Sequence, residues 1–494
     1  MRLNYLANAI GLVLTYIGAV MFFPIIVAII YKDYSSILPF LYAIIISSGI
    51  GFALRKIVPN ASRPDGLNDI KKGEALFVVA ASWIIFGIIG AIPYLNYGLT
   101  PIDALFETVS GITTTGATIL TGYDYPKTFF FWRSFTQWLG GLGIIVLFIA
   151  ILPQFAVAGR QMFFAEAPGP TEDKFTPRIR NTASALWKVY IGLTLLCIIL
   201  LKWAGMPVFD AVCNSLSTLS AGGFSPNPDS IMGYNSTLII WIVIFFMFFS
   251  GASFPLQYKV ITQRKPSLLF KSEEFRLYTL MVIVMSALIG ISLYLHNTDT
   301  FKSITDSLYQ VISIATTTGS VSTDYTKWDF TSKILLFLVA FMGSCASSAG
   351  GGIKMSRWLL IFKSMKSALM KILHPNAVIN IKLDNTTVSN EILNQIAVFV
   401  FFYFFIFGVS AVLIAIIEQN SVVGLSTAIS ALGNIGPAFG PETGPFGSYT
   451  NLHIISKCIY IVNMIVGRLE LIPFLVLFQA DFWTIDRKAV IIKK

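Results

Sequence analysis

The sequence predicts an all-α polytopic membrane protein, with two leading transmembrane helices followed by four copies of a helix, a short half-helix ending in a polar tail, and a second helix. Three observations carry this. Hydrophobic residues make up 55% of the 494-residue chain and charged residues only 12%, with a mean hydropathy of +0.73, a balance that excludes a soluble multidomain enzyme. The segment 103–118, Asp-Ala-Leu-Phe-Glu-Thr-Val-Ser-Gly-Ile-Thr-Thr-Thr-Gly-Ala-Thr, returns in altered form at 210–225, 306–321 and 423–438, and in each copy the tail glycine lies 13 residues after the first residue. Such a register marks a duplicated structural unit. Finally, 26 of the 35 Lys and Arg residues fall in 55–72, 154–188, 259–276, 354–382 and the two chain ends. The positive-inside rule makes these segments cytoplasmic, so both termini lie inside and the loops around the tails face outward.

The leading pair is expected at 4–31 and 37–53, within a first block 1–56. The four repeats are expected at 73–153, 182–261, 274–373 and 391–480, with second helices at 127–153, 234–261, 328 onward and 452–480. Ten full crossings put both termini on one side, in agreement with the charge. The net charge of +10 is accounted for by this topology and by lipid headgroups, with no nucleic-acid partner needed. Cys197, Cys213, Cys345 and Cys458 have neither metal-ligand nor disulfide-framework spacing and read as packing residues. His296, His374 and His453 are far apart and read as interfacial residues. No covalent chemistry is expected.

Each short apolar segment holds about ten residues, where a spanning helix needs ~20. Its polar tail then leaves the helix as irregular backbone at membrane depth, which is tolerated only inside protein or beside water. Asp103, Asp210 and Asp306 are expected in the first turn, at the positive end of the half-helix dipole, so the negative end faces the tail and favours a cation. Glycine in the tail permits backbone angles that let carbonyl oxygens replace an ion's hydration shell. Any one tail alone also reads as a loop or a small-residue packing motif; four in register do not.

The tails Thr113-Thr114-Thr115-Gly116-Ala117-Thr118, Ala221-Gly222-Gly223-Phe224-Ser225, Thr316-Thr317-Thr318-Gly319-Ser320 and Asn434-Ile435-Gly436-Pro437 resemble the four selectivity-filter segments of the Trk/Ktr/HKT superfamily of potassium transporters. The leading helix pair and the stretch 132–144 are similar to its Trk branch, with a TrkH/TrkG-type membrane subunit. The resemblance covers essentially the whole chain. It implies four repeats around one pore, as in potassium channels, with potassium as the transported ion and Thr114, Thr115, Gly116, Ala221, Gly222, Gly223, Thr317, Thr318, Gly319, Asn434, Ile435 and Gly436 as its filter. It further implies a homodimer in the bacterial inner membrane and a cytosolic nucleotide-binding regulator of the TrkA type.

Two further features stand out. Residues 328–373 run without proline for longer than one crossing. Within them, Gly343-Ser344-Cys345-Ala346-Ser347-Ser348-Ala349-Gly350-Gly351-Gly352-Ile353-Lys354 carries three successive glycines, each costing a helix about 1 kcal/mol. The stretch reads as an intramembrane loop, or else as a small-residue face for close helix packing; the resemblance places a gating loop here. Arg468 lies within the apolar span 461–477, where an arginine has to face a partner, a cavity or the pore. It reads as a positive element beside the conduction path or as a structural ion pair, and the resemblance sets it just below the filter in contact with the gating loop. A competing class is a secondary transporter that couples cation or solute movement to protons or sodium at a midplane site on broken helices. That class typically has two repeats and paired charges, whereas here there are four and the tails hold none. The chain lacks a phosphate-binding loop motif, so nucleotide control falls to the partner.

Overall fold

The computed structural model describes residues 3–57, 72–150, 175–296, 299–377, 379–384, 386–471 and 474. The linker stretches 58–71 and 151–174, and the part of the fourth repeat from 475 onward, lie outside the described residues. Among those described, the single sheet is a two-stranded antiparallel hairpin, β1 (Lys382–Leu383) and β2 (Thr386–Thr387), and everything else of regular structure is helical. The chain divides into two compact units: residues 1–109, 124–132 and 469–494 in one, 110–123 and 133–468 in the other.

In the first unit, α1 (Leu3–Val20) and α2 (Phe22–Tyr31) make the first leading span, and α3 (Ile37–Ile57) the second. Small residues let α1 and α3 come close: a methyl group on Gly51 would lie 2.7 Å from the Gly11 carbonyl oxygen, and the Ser47 hydroxyl donates to the Leu14 carbonyl at 2.6 Å. Next comes α4 (Lys72–Leu95), the first helix of repeat 1. Trp132 is fully buried here, stacked on Phe86 and edge-on to Phe40, and its indole N–H donates to the Gly90 carbonyl at 3.2 Å. The first half-helix, α5 (Pro101–Ile112), starts with Thr100 and Asp103 in reciprocal hydrogen bonds, and α6 (Lys127–Ala150) is the second helix of repeat 1.

The second unit carries 110–123 and 133–150 of repeat 1, the first tail among them, and the remaining repeats as far as Arg468. Repeat 2 has α7 (Phe175–Trp203), the half-helix α8 (Val208–Leu219), and then α9 (Thr237–Ser250) and α10 (Phe254–Gln263). After the short α11 (Ser267–Lys271), repeat 3 has α12 (Glu273–Leu295), the half-helix α13 (Thr300–Ala315), α14 (Phe330–Val339) and α15 (Met355–Leu373). Repeat 4 has α16 (Asn390–Glu418), the half-helix α17 (Ser421–Gly433) and α18 (Ile454–Arg468).

Six helices among the described residues are long and apolar enough to cross a membrane, seven if α9 and α10 count as one span. They include the leading pair and the first helix of every repeat. The second helices are where the architecture departs from ten straight crossings. The expected helix 234–261 breaks at Gly251-Ala252-Ser253 and turns by 101°, with Pro255 set in the first turn of α10, where a missing N–H costs nothing. The long run 328–373 breaks at 340–354, around the glycine-rich stretch. The expected helix 452–480 stops at Arg468, and Glu470 and Leu471 are left-handed at φ of +60° and +54°. Pro473 follows, and a helix running through it would clash with the carbonyl four residues back. Each interruption touches a tail: a methyl group on Gly251 would lie 2.6 Å from Thr316 Cγ2 and one on Gly467 3.0 Å from Asn434 Oδ1, while the Gly351 N–H donates to Thr317 Oγ1 at 2.6 Å.

The half-helices run to 12, 12, 16 and 13 residues, somewhat longer than the sequence suggested. Asp103 and Asp210 sit in the first turn as expected. Asp306 does not. In repeat 3 the helix starts earlier because Asp299 caps it, accepting from the Phe301 N–H at 3.3 Å, and Asp306 is buried further along. Repeat 4 uses Asn420 in the same capping role, at 3.0 and 3.2 Å from the Val422 and Val423 N–H groups.

Candidate ion-conduction site

The four tails share one backbone conformation. Gly116, Gly223, Gly319 and Gly436 have φ of +85°, +81°, +71° and +105°, and two residues earlier Thr114, Ala221, Thr317 and Asn434 are also left-handed, at +54° to +57°. The residue between each pair is not. This alternation collects successive N–H groups on one side of the chain and sets the carbonyls apart from them. The N–H groups turn back to the half-helix: those of Thr115, Gly222, Thr318 and Ile435 reach the carbonyls of Ser110, Ser217, Ser313 and Ser430 at 2.8 to 2.9 Å. A left-handed residue other than glycine costs roughly 1–2 kcal/mol, so the conformation is held at some expense in all four copies.

The tails meet in a closed cycle. A methyl group built on Gly116 would overlap the carbonyl oxygen of Gly222, one on Gly223 that of Thr318, and one on Gly319 that of Ile435; one on Gly436 would lie 2.5 Å from the Thr115 oxygen. Repeat 1 therefore touches 2, 2 touches 3, 3 touches 4, and 4 returns to 1. In every case the partner is the carbonyl directly before the neighbouring tail's glycine. The filter residues named from the sequence are thus brought together as one ring. Among the described residues, no group of three or more His, Cys, Asp or Glu side chains is placed to hold a metal ion. The ring offers backbone and hydroxyl oxygens, the donor set that suits a weakly hydrated monovalent cation.

Several supporting residues had escaped the sequence reading. Ser110, Ser217, Ser313 and Ser430 each stand six residues before a tail glycine, a register that aligning the four copies would have exposed. The hydroxyls of Ser110 and Ser313 donate to the Ala117 and Ser320 carbonyls at 2.6 Å, and that of Ser430 to the Gly436 carbonyl at 2.7 Å. Ser217 donates instead to Gln137 at 2.7 Å, and the fully buried Gln137 amide in turn donates to the Gly222 carbonyl at 2.6 Å and accepts from the Phe224 N–H at 3.2 Å. Arg133 bonds Thr118 Oγ1 and the Ser225 carbonyl at 3.1 and 3.4 Å and lies over the Phe224 ring, which ties tail 1 to tail 2. In repeat 4, Tyr449 and Tyr460 both donate to the Gly436 carbonyl, at 2.8 and 3.2 Å. The Asn434 amide reaches Thr115 Oγ1 at 3.0 Å and the Met464 carbonyl at 2.9 Å.

On one side of the ring is a cavity of about 50 Å³, lined by Gly116, Gly223, Gly319 and residues just past the tails, such as Asn227, Pro437 and Tyr449. One water needs roughly 10–15 Å³ by the same measure. Against the starts of tails 3 and 4 lies 343–354, which is a loop and not a helix face. Its neck is held by Gly343 N–H to the Ile353 carbonyl and Met355 N–H to the Ser344 carbonyl, both at 3.0 Å. A methyl group on Gly350 would lie 2.5 Å from the Thr316 carbonyl oxygen, and one on Gly351 2.5 Å from that of Gly433, so only glycine lets the loop approach the tails this closely. The break between α9 and α10 seats it: the N–H groups of Cys345 and Ala349 donate to the Gly251 and Ser250 carbonyls at 2.9 and 3.1 Å, and the Ser347 carbonyl accepts from Phe254 at 3.2 Å. Inside the loop, Ser344 and Ser348 share a 2.7 Å hydrogen bond, and the Lys354 ammonium donates to the Gly350 carbonyl. Arg468, 2% exposed, donates to the Ala349 carbonyl at 2.9 Å and to the Gly140 carbonyl at 3.3 Å. The arginine and the loop singled out from sequence are therefore in contact.

The TrkH family, described as cation transport protein, matches residues 45–485. The chain is 36% identical over 490 residues to the Trk system potassium uptake protein TrkH of Salmonella typhimurium, covering 98% of this chain and all of that one. It is 33% identical to the Trk system potassium uptake protein TrkG of Escherichia coli, over 93% of this chain and 94% of that one. The crystal structure of the potassium transporter TrkH from Vibrio parahaemolyticus superposes with a TM-score of 0.89 at 29% identity, covering 98% of this chain and all of that one. A ring of four in-register tails, a loop against it and a match along nearly the whole length lead to one conclusion: this chain belongs to the TrkH family of cation transport proteins.

Proposed function

We propose that this chain takes up potassium across the bacterial inner membrane, passing the ion through the ring formed by the four tails. The observation that carries the reading is the closed glycine-to-carbonyl cycle, 116 to 222, 223 to 318, 319 to 435 and 436 to 115. Such a ring supplies oxygens from four sides to a cation that has shed its water. The relatives named as potassium uptake proteins support the choice of ion. The loop 343–354 is the gate, because it lies against the starts of tails 3 and 4, and Arg468 holds it shut. A cytosolic nucleotide-binding partner of the TrkA type moves the gate through the basic helix α15, the protein works as a homodimer, and both termini are cytoplasmic; these parts rest on the resemblance and on the charge pattern.

The experiment is reconstitution in liposomes with potassium, sodium and proton fluxes measured separately. Potassium flux well above sodium flux, without proton movement, is the expected outcome. Equal potassium and sodium fluxes would remove the filter reading, and protons moving in fixed ratio with potassium would favour coupled transport at a midplane site. The serines behind the tails supply a graded version. Ser313→Ala removes a buried hydrogen bond to the Ser320 carbonyl, worth about 1 kcal/mol. It is expected to lower the potassium-to-sodium flux ratio severalfold while leaving the protein folded; an unchanged ratio would reduce Ser313 to a packing residue.

A further inference from the structure

We infer that Glu274 is the positioning residue that fastens the two ends of the loop 343–354 to the first turn of α12; the inference rests on that loop being the gate. Glu274 is the second residue of α12 and is 1% exposed. One carboxylate oxygen accepts from the backbone N–H of Ala346, near the loop's entry, at 2.6 Å, and from that of Ser356, just past its exit, at 2.9 Å. The Ser356 hydroxyl and the Lys354 ammonium also favour the charged carboxylate. A carboxylate withdrawn from water needs such donors, and charge-assisted bonds of this kind are strong and directional. Here the donors belong to the loop and its exit, so displacing the loop strips the carboxylate of its partners.

A second set of contacts joins this turn to the hairpin that follows α15. Asp384, in the turn between β1 and β2, accepts from the Glu273 N–H at 2.7 Å and from the Ser272 hydroxyl at 3.5 Å. Lys363 of α15 pairs with the Glu273 carboxylate and donates to the Lys382 carbonyl at 2.6 Å. The hairpin, α15 and the start of α12 are thereby tied together, and Glu274 connects that knot to the loop. A force applied to the hairpin or to α15 reaches the loop at both ends.

Cys345, 1% exposed within the loop, supplies the readout. In the full chain with Cys197, Cys213 and Cys458 replaced by alanine, the rate of Cys345 modification by a methanethiosulfonate reagent is measured beside basal potassium flux in liposomes. Glu274→Ala should speed modification about tenfold or more and raise flux, since two N–H groups lose their shared acceptor. Glu274→Gln, which keeps an acceptor oxygen without the charge, should give a smaller increase, and Asp384→Ala should loosen the loop from a distance. Deletion of 346–350 reports on the gate alone. Raised flux in the deletion, with Cys345 as protected in Glu274→Ala as in the parent, overturns the tether and leaves the gate standing. Low flux in the deletion overturns the gate, and Cys345 protection still judges the tether. If Glu274→Ala is not monodisperse, Glu274→Gln and Asp384→Ala carry the comparison, and unchanged protection in both overturns the inference.

Discussion

Serine at Gly116, Gly223 or Gly319 is expected to cut the potassium-to-sodium flux ratio at least tenfold. Two costs combine at these positions. Each glycine has φ between +71° and +85°, where a side chain costs roughly 1–2 kcal/mol. Each would also place its Cβ on a carbonyl oxygen of the next tail, so the ring has to open locally before the variant fits. Carbonyls moved off their positions no longer fit one ion better than the other, and a loss of ~1.4 kcal/mol in that preference is already a factor of ten. Gly436 should respond in the same direction, since its φ of +105° is the least accessible to a side chain of the four and a Cβ there would lie 2.5 Å from the Thr115 oxygen. Paired potassium and sodium fluxes in one liposome preparation check this. Unaltered ratios in all four variants would withdraw the filter assignment.

Deleting 346–350 is expected to raise basal potassium flux by an order of magnitude or more and to make it independent of a cytosolic partner and nucleotide. The deleted residues carry the anchors to Ser250 and Phe254 and the carbonyl that Arg468 holds. Arg468→Ala should move flux the same way by a smaller amount. It frees the Ala349 carbonyl and removes a buried positive charge from surroundings that screen charge poorly. Flux is measured with and without partner and nucleotide, on protein shown to be monodisperse. A well-folded deletion that stays silent and nucleotide-dependent would place the gate elsewhere. A well-folded Arg468→Ala with unchanged or lower flux would make the arginine a structural brace only.

Much of this architecture was legible because its signals are local. A glycine at constant distance from the start of an apolar segment, four times over, survives changes in every neighbouring residue, and Gly350-Gly351-Gly352 announces a helix break by propensity alone. What stayed hidden depends on partners far away in the chain. Gln137 reads as a polar residue in a helix until Gly222, 85 positions on, is seen beside it. Glu274 at a helix start reads as a dipole partner, and its actual bonds run to residues more than 70 positions away. The bend at Gly251 had only Gly-Ala-Ser-Phe-Pro to mark it inside an apolar run, and what stabilises it is the loop's N–H groups arriving from repeat 3. The early stop of α18 was the more readable miss, with Pro473 in plain view. The start of α13 was misjudged because Asp306 fitted the repeat register, while the cap is set by Asp299.

The cycle of tails follows chain order, and this bears on how the protein comes to be made. Contacts 1 to 2, 2 to 3 and 3 to 4 join tails that leave the ribosome one after another. The last contact joins Gly436 and Asn434 to Thr115, across 319 residues in the case of the amide bond. Two of the four contacts in the cycle, 3 to 4 and 4 to 1, need the fourth repeat, so the cycle cannot close before that repeat has been synthesised. This last contact closes the longest loop of the four, although loop-closure entropy grows only slowly with length, by about 0.6 kcal/mol per doubling. The Asn434 amide, bonded at once to Thr115 and to Met464 in the helix that follows, is the fastener that joins the last tail to be synthesised to the first.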